Sequence, residues 1–542
     1  MKEFSAMRRE FLRTGGVGAA AAVMPMTSFA ALAQDPFAAA GGVSQAIFDV
    51  RRYGASGDGK TLDTASVNRA IEAAAVAGGG VMVFAAGTYL CFSIRLKRQV
   101  RLHLKQGSVI LAADSPLPGR ETGYGGGVYD AAEPNTAWDA YQDYGHNHWH
   151  NSLLWGEDLH DLGITGPGLI WGKGLSRGYG SVDGPSFVAE QPGVGNKAIA
   201  LKKCRNVILR DFSILKGGHF GLLLTGVDNL TIGTDRDGMD IDCCQNVRVS
   251  NCTVNSSWDD GICPKSSYAL GYARPTRNLT IANCYVSGYD RLGTVLDGTF
   301  QKFAADARVP CTGRIKCGTE SNGGFINVAM SNCIFEGCQG LALESVDGAL
   351  LEDVAITNIT MRDLSSPPLF LRLGARLRGP KDSTWVGTMK RIVISNLACY
   401  NAPRRQSCIL TGITGHPIEG LKLSNIYIET RGGAVAEDAK VQPRELEGDY
   451  PDPDRFGPMP ASGFFLRHMR NLEMSHVEIA HATADARPAF YLDDVDRADF
   501  FAVTAPPGAA GAFALHNVKN LRIGWSRAAA DINLSSVDDK VL

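Results

Sequence analysis

Three aspartates fall at a spacing that can do chemistry. They lie in Asp237-Gly-Met-Asp240-Ile-Asp242 and in Trp258-Asp259-Asp260-Gly261. Hydrolysis of a glycosidic bond needs one carboxylic acid to protonate the leaving oxygen. It needs a second carboxylate to activate water or to attack carbon. Carboxylates held close together push one another's pKa apart, which keeps one of them protonated. Asp237, Asp259 and Asp260 are therefore candidate catalytic residues. Asp also favours Asx turns between strands, and Asp240 and Asp242 read as such turns.

The elements that must position these groups are short strands. Runs such as Asn206-Val-Ile-Leu, Asn229-Leu-Thr-Ile, Asn246-Val-Arg-Val-Ser-Asn251-Cys-Thr-Val, Asn278-Leu-Thr-Ile-Ala-Asn283-Cys-Tyr-Val and Asn327-Val-Ala-Met-Ser-Asn332-Cys-Ile-Phe recur along the chain. Each alternates apolar and polar residues with period two. The period is irregular, 23 and 17 residues early and 32 and 49 later. This pattern predicts an all-β solenoid, a right-handed parallel β-helix with coils about 4.8 Å apart. A propeller would need a longer and more regular period. Asp237 and Asp259 are 22 residues apart, about one coil, so stacking brings them to one face. Asp259 and Asp260 would point to opposite sides of a regular strand, so the chain must bend there, and Gly261 eases the bend. The apolar spacing over Thr64–Ala77 predicts an N-terminal capping helix. Two segments, 113–150 and 430–462, leave the repeat and read as long loops that shape a binding site.

The chain has 542 residues, 44% hydrophobic and 20% charged, with a formal net charge of -2. That balance carries no nucleic-acid signature. No apolar run beyond the N-terminus suits a membrane span. Arg8-Arg9-Glu10-Phe11-Leu12-Arg13, a Gly/Ala-rich stretch and Ala31-Leu32-Ala33 resemble a twin-arginine export signal. The expected organisation is a signal over 1–33, a linker over 34–45 and one catalytic β-helix over 46–542. The export machinery is then a partner, and the destination is periplasmic or secreted. Thirteen cysteines are present without a CxxC pair. Cys252, Cys284 and Cys333 each follow an Asn at equivalent repeat positions and read as small buried residues. His146, His148 and His150 alternate, which resembles a zinc cluster on paper, but no carboxylate or Cys nearby completes such a site. A sugar-facing loop is the reading adopted for them, with no metal.

Two blocks together resemble a known family. One is Phe48-Asp49-Val50 with Tyr53-Gly54, Gly57-Asp58-Gly59-Lys60-Thr61, Asp63-Thr64 and Gly78-Gly79-Gly80. The other is the carboxylate block followed by Arg314-Ile315-Lys316. They are similar to the polygalacturonase-like glycoside hydrolases, family 28, pectin-degrading parallel β-helix enzymes. The phrases around Glu320 and Glu344 resemble a divergent bacterial, rhamnogalacturonan-type branch. The resemblance covers most of 46–400. It implies an inverting hydrolase of pectic polysaccharide or oligosaccharide, without a cofactor. It assigns Asp259 as general acid and Asp237 with Asp260 as the pair activating water. It makes Arg314 and Lys316 substrate-binding cations, suited to an anionic sugar. Lys265, Asp290, Arg291, His219 and Glu320 fall beside the site by motif position, and Glu320 is a candidate partner for Arg314. Arg372, Arg376 and Arg378 read as a loop, either sugar-binding or surface charge. The motifs are not intact. Asp235-Arg236 stands where the family has Asn-Thr, Trp258 replaces Gly, and Gly288-Tyr289-Asp290-Arg291 lacks the usual His. The substrate contacts have therefore changed. The two long loops predict an exo-acting enzyme. The alternatives are a polysaccharide lyase on the same fold and a non-catalytic carbohydrate-binding β-helix.

Overall fold

A computed structural model describes residues 46–142, 145–176, 190–235, 238–289, 302–303, 309–508 and 511–542. The export segment 1–33, the linker 34–45, Asp237, Asp290 and Arg291 lie outside the described residues.

Strands from Ile47 to Val541 stack coil upon coil into a parallel β-helix. One parallel sheet runs most of the length, and a second, six-stranded sheet covers another wall. Period-two alternation builds the core. In the long sheet Val247, Leu279, Val328, Val354, Ile392 and Leu421 are register partners in succession, and all are buried. Each such side chain contributes about 1.5–3 kcal/mol by leaving water. A charge at any of these positions would be buried without a partner.

The turns explain the recurring Asn. Asn251, Asn283, Asn332, Asn358, Asn396 and Asn425 all hold left-handed φ values of 54–57°, which Asn tolerates better than most residues. From Asn283 to Asn425, each side-chain amide donates to the Asn oxygen one coil earlier, at 2.7–3.2 Å. Amide side chains suit this role because each carries both donor and acceptor. Cys252, Cys284 and Cys333 follow three of these turns and join the apolar core, and none of the thirteen cysteines is in a disulfide.

Both ends are covered. Helix α1 (Thr64–Val76) buries Val67, Ala70, Ile71 and Ala74 against the first coils. At the other end the strand Ile532–Val541 pairs antiparallel with Phe513–Gly524. The repeat pattern did not announce this reversal. Among the described residues no helix is long and apolar enough to cross a membrane. Among the described residues, the segments 113–150 and 431–462 hold no strand. They contain only short helical turns, such as Asp139–Tyr141 and Pro453–Phe456.

One wall matters for function. Its strands are β1 (Ser152–Glu157), β2 (Lys197–Lys202), β3 (Phe220–Thr225), β4 (Met239–Asp242), β5 (Ile262–Lys265), β6 (Lys316–Cys317), β7 (Leu341–Ser345) and β8 (Leu369–Leu373). They pair in parallel in that order, with β5 joined to the coil of β6 through the Ile262–Ile315 bridge.

Candidate active site

Alternation on this wall separates core from chemistry. Met239 and Ile241, Ile262, Ile315 and Cys317, and Leu341 and Leu343 face inward into the apolar core. The residues between them face the other way. Asp240 and Asp242, Cys263 and Lys265, Arg314 and Lys316, and Glu344 thus gather on the outer face of four successive coils. Asp240 and Asp242 are strand residues, not turns, which corrects the sequence reading. Asp242 is fully buried and structural. It accepts from the Ser267 amide at 2.7 Å and from the Ser267 hydroxyl at 2.6 Å.

Asp259 and Asp260 lie in a bend just before β5, as their adjacency required. The Asp260 amide donates to Asp259 Oδ1 at 2.7 Å, and the Gly261 amide donates to the Arg314 carbonyl at 2.8 Å. A Cβ at Gly261 would come within 2.7 Å of the Gly313 carbonyl oxygen, so the bend needs glycine. Asp260 turns into the protein. Arg314 Nε meets its Oδ1 at 2.8 Å and Lys316 Nζ its Oδ2 at 3.0 Å. Glu344, fully buried, stands 3.9 Å from Arg314 Nη2 and 3.7 Å from Lys316 Nζ. Gly318, at a φ of 126°, leaves room for it, because a Cβ there would lie 2.9 Å from that of Glu344.

The electrostatics follow from these contacts. Burial would raise the Asp260 pKa, but the Lys316 and Arg314 charges outweigh it and hold it down at about 2. Asp259 is pushed up to about 6, by desolvation from the surrounding protein and by the Asp260 charge. Solvent still reaches the Asp259 side chain, so the neighbouring charge is the firmer of the two causes. Lys316 stays protonated despite burial because Asp260 and Glu344 face it. Burial raises Glu344, although Lys316 and Arg314 oppose the shift.

A second row of charges runs alongside. His146, from the loop 113–150, places Nε2 3.3 Å from Asp240 Oδ2. Lys265 Nζ lies 3.6 Å from the same oxygen and 2.9 Å from Glu320 Oε2. Glu320 Oε1 faces Arg378 at 3.6 Å and Arg376 at 4.0 Å. Arg376 in turn donates from Nε to Asp347 at 3.0 Å. Burial would raise Glu320, but Lys265, His146 and Arg376 hold it well below the usual carboxylate range.

Several sequence expectations are thereby revised. Glu320 pairs with Lys265, and Glu344 is the second carboxylate beside Arg314. Arg314 and Lys316 are buried and already offset by protein carboxylates. Arg372 is not a loop or surface residue but part of strand β8, 1% exposed, while Arg376 joins the charge row. His219 stacks on Phe220 at 4.2 Å, and burial with the nearby Lys197 and His146 charges depresses its pKa to about 3. That shift favours the neutral imidazole. The three loop histidines take different partners: His146 takes Asp240, His148 takes Asn135, and His150 takes Glu133 and Glu157. Carboxylates do stand near them, Asp240 from a distant coil and Glu133 and Glu157 from nearby in sequence. Asp240, Asp347, Lys197 and Tyr450 were missed. Asp240 carried a signal in its strand alternation, whereas Tyr450 carried none. An open groove of about 800 Å³ lies on the last coils, lined by residues such as Arg497, Phe501 and Trp525. None of the charged rows reaches it, so its size does not mark the site.

Residues 47–105 match a family model described as Rhamnogalacturonase A/epimerase, pectate lyase-like. Among solved structures, the chain is similar to an exopolygalacturonase from Thermotoga maritima. That match has 14% identity and a TM-score of 0.56, and covers 92% of this chain and 95% of that one. It is also similar to the family 28 exopolygalacturonase of Yersinia enterocolitica. There the identity is 17% and the TM-score 0.59, over 84% of this chain and 78% of that one. The fold is the pectin-type parallel β-helix. No curated protein matches the chain by sequence. At these identities the polygalacturonase-like resemblance extends to architecture, and the chemistry rests on the residues of the site.

Proposed function

We propose that this protein is an inverting glycoside hydrolase acting on pectic polysaccharide or oligosaccharide, with galacturonate- or rhamnogalacturonan-type linkages. The observation that carries the reading is the split placement of two adjacent carboxylates: Asp260 is turned inward onto Arg314 at 2.8 Å and Lys316 at 3.0 Å, while Asp259 stays open to solvent beside it, an arrangement that lowers the Asp260 pKa and raises that of Asp259. One is poised to give a proton and the other to accept one. Asp259 protonates the leaving glycosidic oxygen. Asp260, with Asp237 as the resemblance assigns it, takes a proton from a water molecule as its oxygen attacks the anomeric carbon from the opposite face. One water is consumed, and configuration at that carbon inverts. Arg314 and Lys316 keep Asp260 ionised, and the row from His146 to Arg376 borders the sugar. Asp290 and Arg291 remain substrate-binding candidates by motif position.

Asp259→Asn tests the reading. It should lose turnover by several orders of magnitude while retaining affinity for pectic oligosaccharides, measured by calorimetry. Unchanged product release from the variant would remove the assignment. A lyase would instead leave an unsaturated product that absorbs in the ultraviolet, and a pure binding protein would give none. We further propose that the β-helix over 46–542 is exported by its twin-arginine segment and works outside the cytoplasm.

A further inference from the structure

The loop 430–462 does more than project from the coils. Arg372 on β8 donates from Nη2 to the carbonyls of Glu445 at 2.7 Å and Leu446 at 2.9 Å. The Ala375 amide donates to the Glu447 carbonyl at 2.6 Å. Arg467, one coil beyond the neighbouring strand Cys408–Thr411, donates to the carbonyls of Pro443 and Arg444, both at 2.9 Å. These two arginines are buried. Their bonds to loop backbone fix its path, and Arg372 Nη1 ties the same side chain to the Gly412 carbonyl at 3.1 Å.

The fixed path ends at Tyr450. Its hydroxyl bonds Thr319 Oγ1 at 3.0 Å. The Lys316 ammonium and the Arg376 guanidinium each lie 5.7 Å from its ring centroid. The tyrosine thus bridges the row that holds Asp260 and the row that holds Glu320, yet it remains 40% exposed. What sets this ring apart is its place: it is pinned between the two ion-pair rows with part of its surface open to solvent.

We infer that Tyr450 is a specificity-determining residue, a platform on which one pyranose ring of the sugar chain stacks beside the catalytic carboxylates, presented by a loop that Arg372 and Arg467 pin in place. The inference rests on the hydrolase reading above. The ring offers a flat apolar face to the C–H face of the sugar, and the flanking cations turn their charge to the protein carboxylates. A side chain working this way contributes to ground-state binding, so its loss appears in KM more than in kcat.

The test uses the full chain with tetragalacturonate and with a rhamnogalacturonan hexasaccharide as probes. Y450A should raise KM on the cleaved probe about five- to tenfold and leave kcat within about twofold. Y450F, which keeps the ring, should restore the wild-type KM. Y450L, close in volume but not aromatic, should behave like Y450A, and serves in its place if that variant does not fold. A wild-type KM in Y450A or Y450L, or an equal defect in Y450F, overturns the inference while the hydrolase reading stands. If wild type neither cleaves nor binds either probe, the hydrolase reading fails, and this inference falls with it.

Discussion

At the scale of single residues, the account turns on which protons Asp259 and Asp260 hold. A general acid must be protonated, so activity should fall as pH rises through the Asp259 value of about 6. A general base must be ionised, so activity should also fall as pH drops through the Asp260 value of about 2. The expected kcat/KM profile is a bell on the acid side of neutrality, and a flat profile from pH 4 to 8 would contradict it. Lys316→Met should move the low-pH limb upward, because Lys316 is a principal cause of the Asp260 depression. It should also cost at least about tenfold in kcat. The paired aspartates stood out by residue type and spacing, whereas Arg314-Ile315-Lys316 stood out only through the family resemblance. Asp240 was discounted because a lone Asp between apolar residues reads equally as a turn. Only the β4–β5 register, which sets Asp240 opposite Cys263 and Asp242 opposite Lys265, decides the matter.

At the scale of elements, the Asn turns and the wall strands make separate predictions. Asn332 holds φ at 55° and joins the ladder on both sides, to Asn283 and Asn358. Asn332→Ala loses those bonds and forces a left-handed alanine, which costs about 2–4 kcal/mol in all. A lowered thermal midpoint with unchanged kinetics should result. Lys197 on β2 is fully buried and bonds the His148 carbonyl and Asn196 Oδ1, and burial depresses its pKa to about 7. Its folded pKa is below its unfolded one. The charged form therefore costs stability below pH 7, and the cost fades as pH rises toward the unfolded value. The thermal midpoint of Lys197→Met relative to wild type should therefore be higher at pH 6 than at pH 9.5. Strand alternation and the capping helix were readable in advance, since helix α1 ends at Val76 against an expected Ala77. The antiparallel closing strand Ile532–Val541 was not, because alternation tells which face a residue takes and says nothing of strand direction.

At the scale of the whole molecule, two long loops converge on one wall of the solenoid. The loop 113–150 delivers His146 to Asp240, and the loop 430–462 delivers Tyr450 to Thr319. Composition showed that these segments leave the repeat, but not where they land, because those contacts join residues up to 131 positions apart. We propose that these two loops, landing on either side of the charged rows, favour attack near a chain end. Polymeric substrate should then release short products while its viscosity falls slowly, and rapid viscosity loss would indicate internal cutting. Replacing both Arg8 and Arg9 with Lys should leave the protein in the cytoplasm on fractionation, and normal export of that variant would remove the twin-arginine proposal. The central claim, hydrolysis by water under paired carboxylates, is tested most directly by following the first turnovers on a pectic oligosaccharide by proton NMR with product masses. The products should sum to substrate plus one water, with the newly formed anomer inverted. A retained anomer or an unsaturated product would contradict the claim.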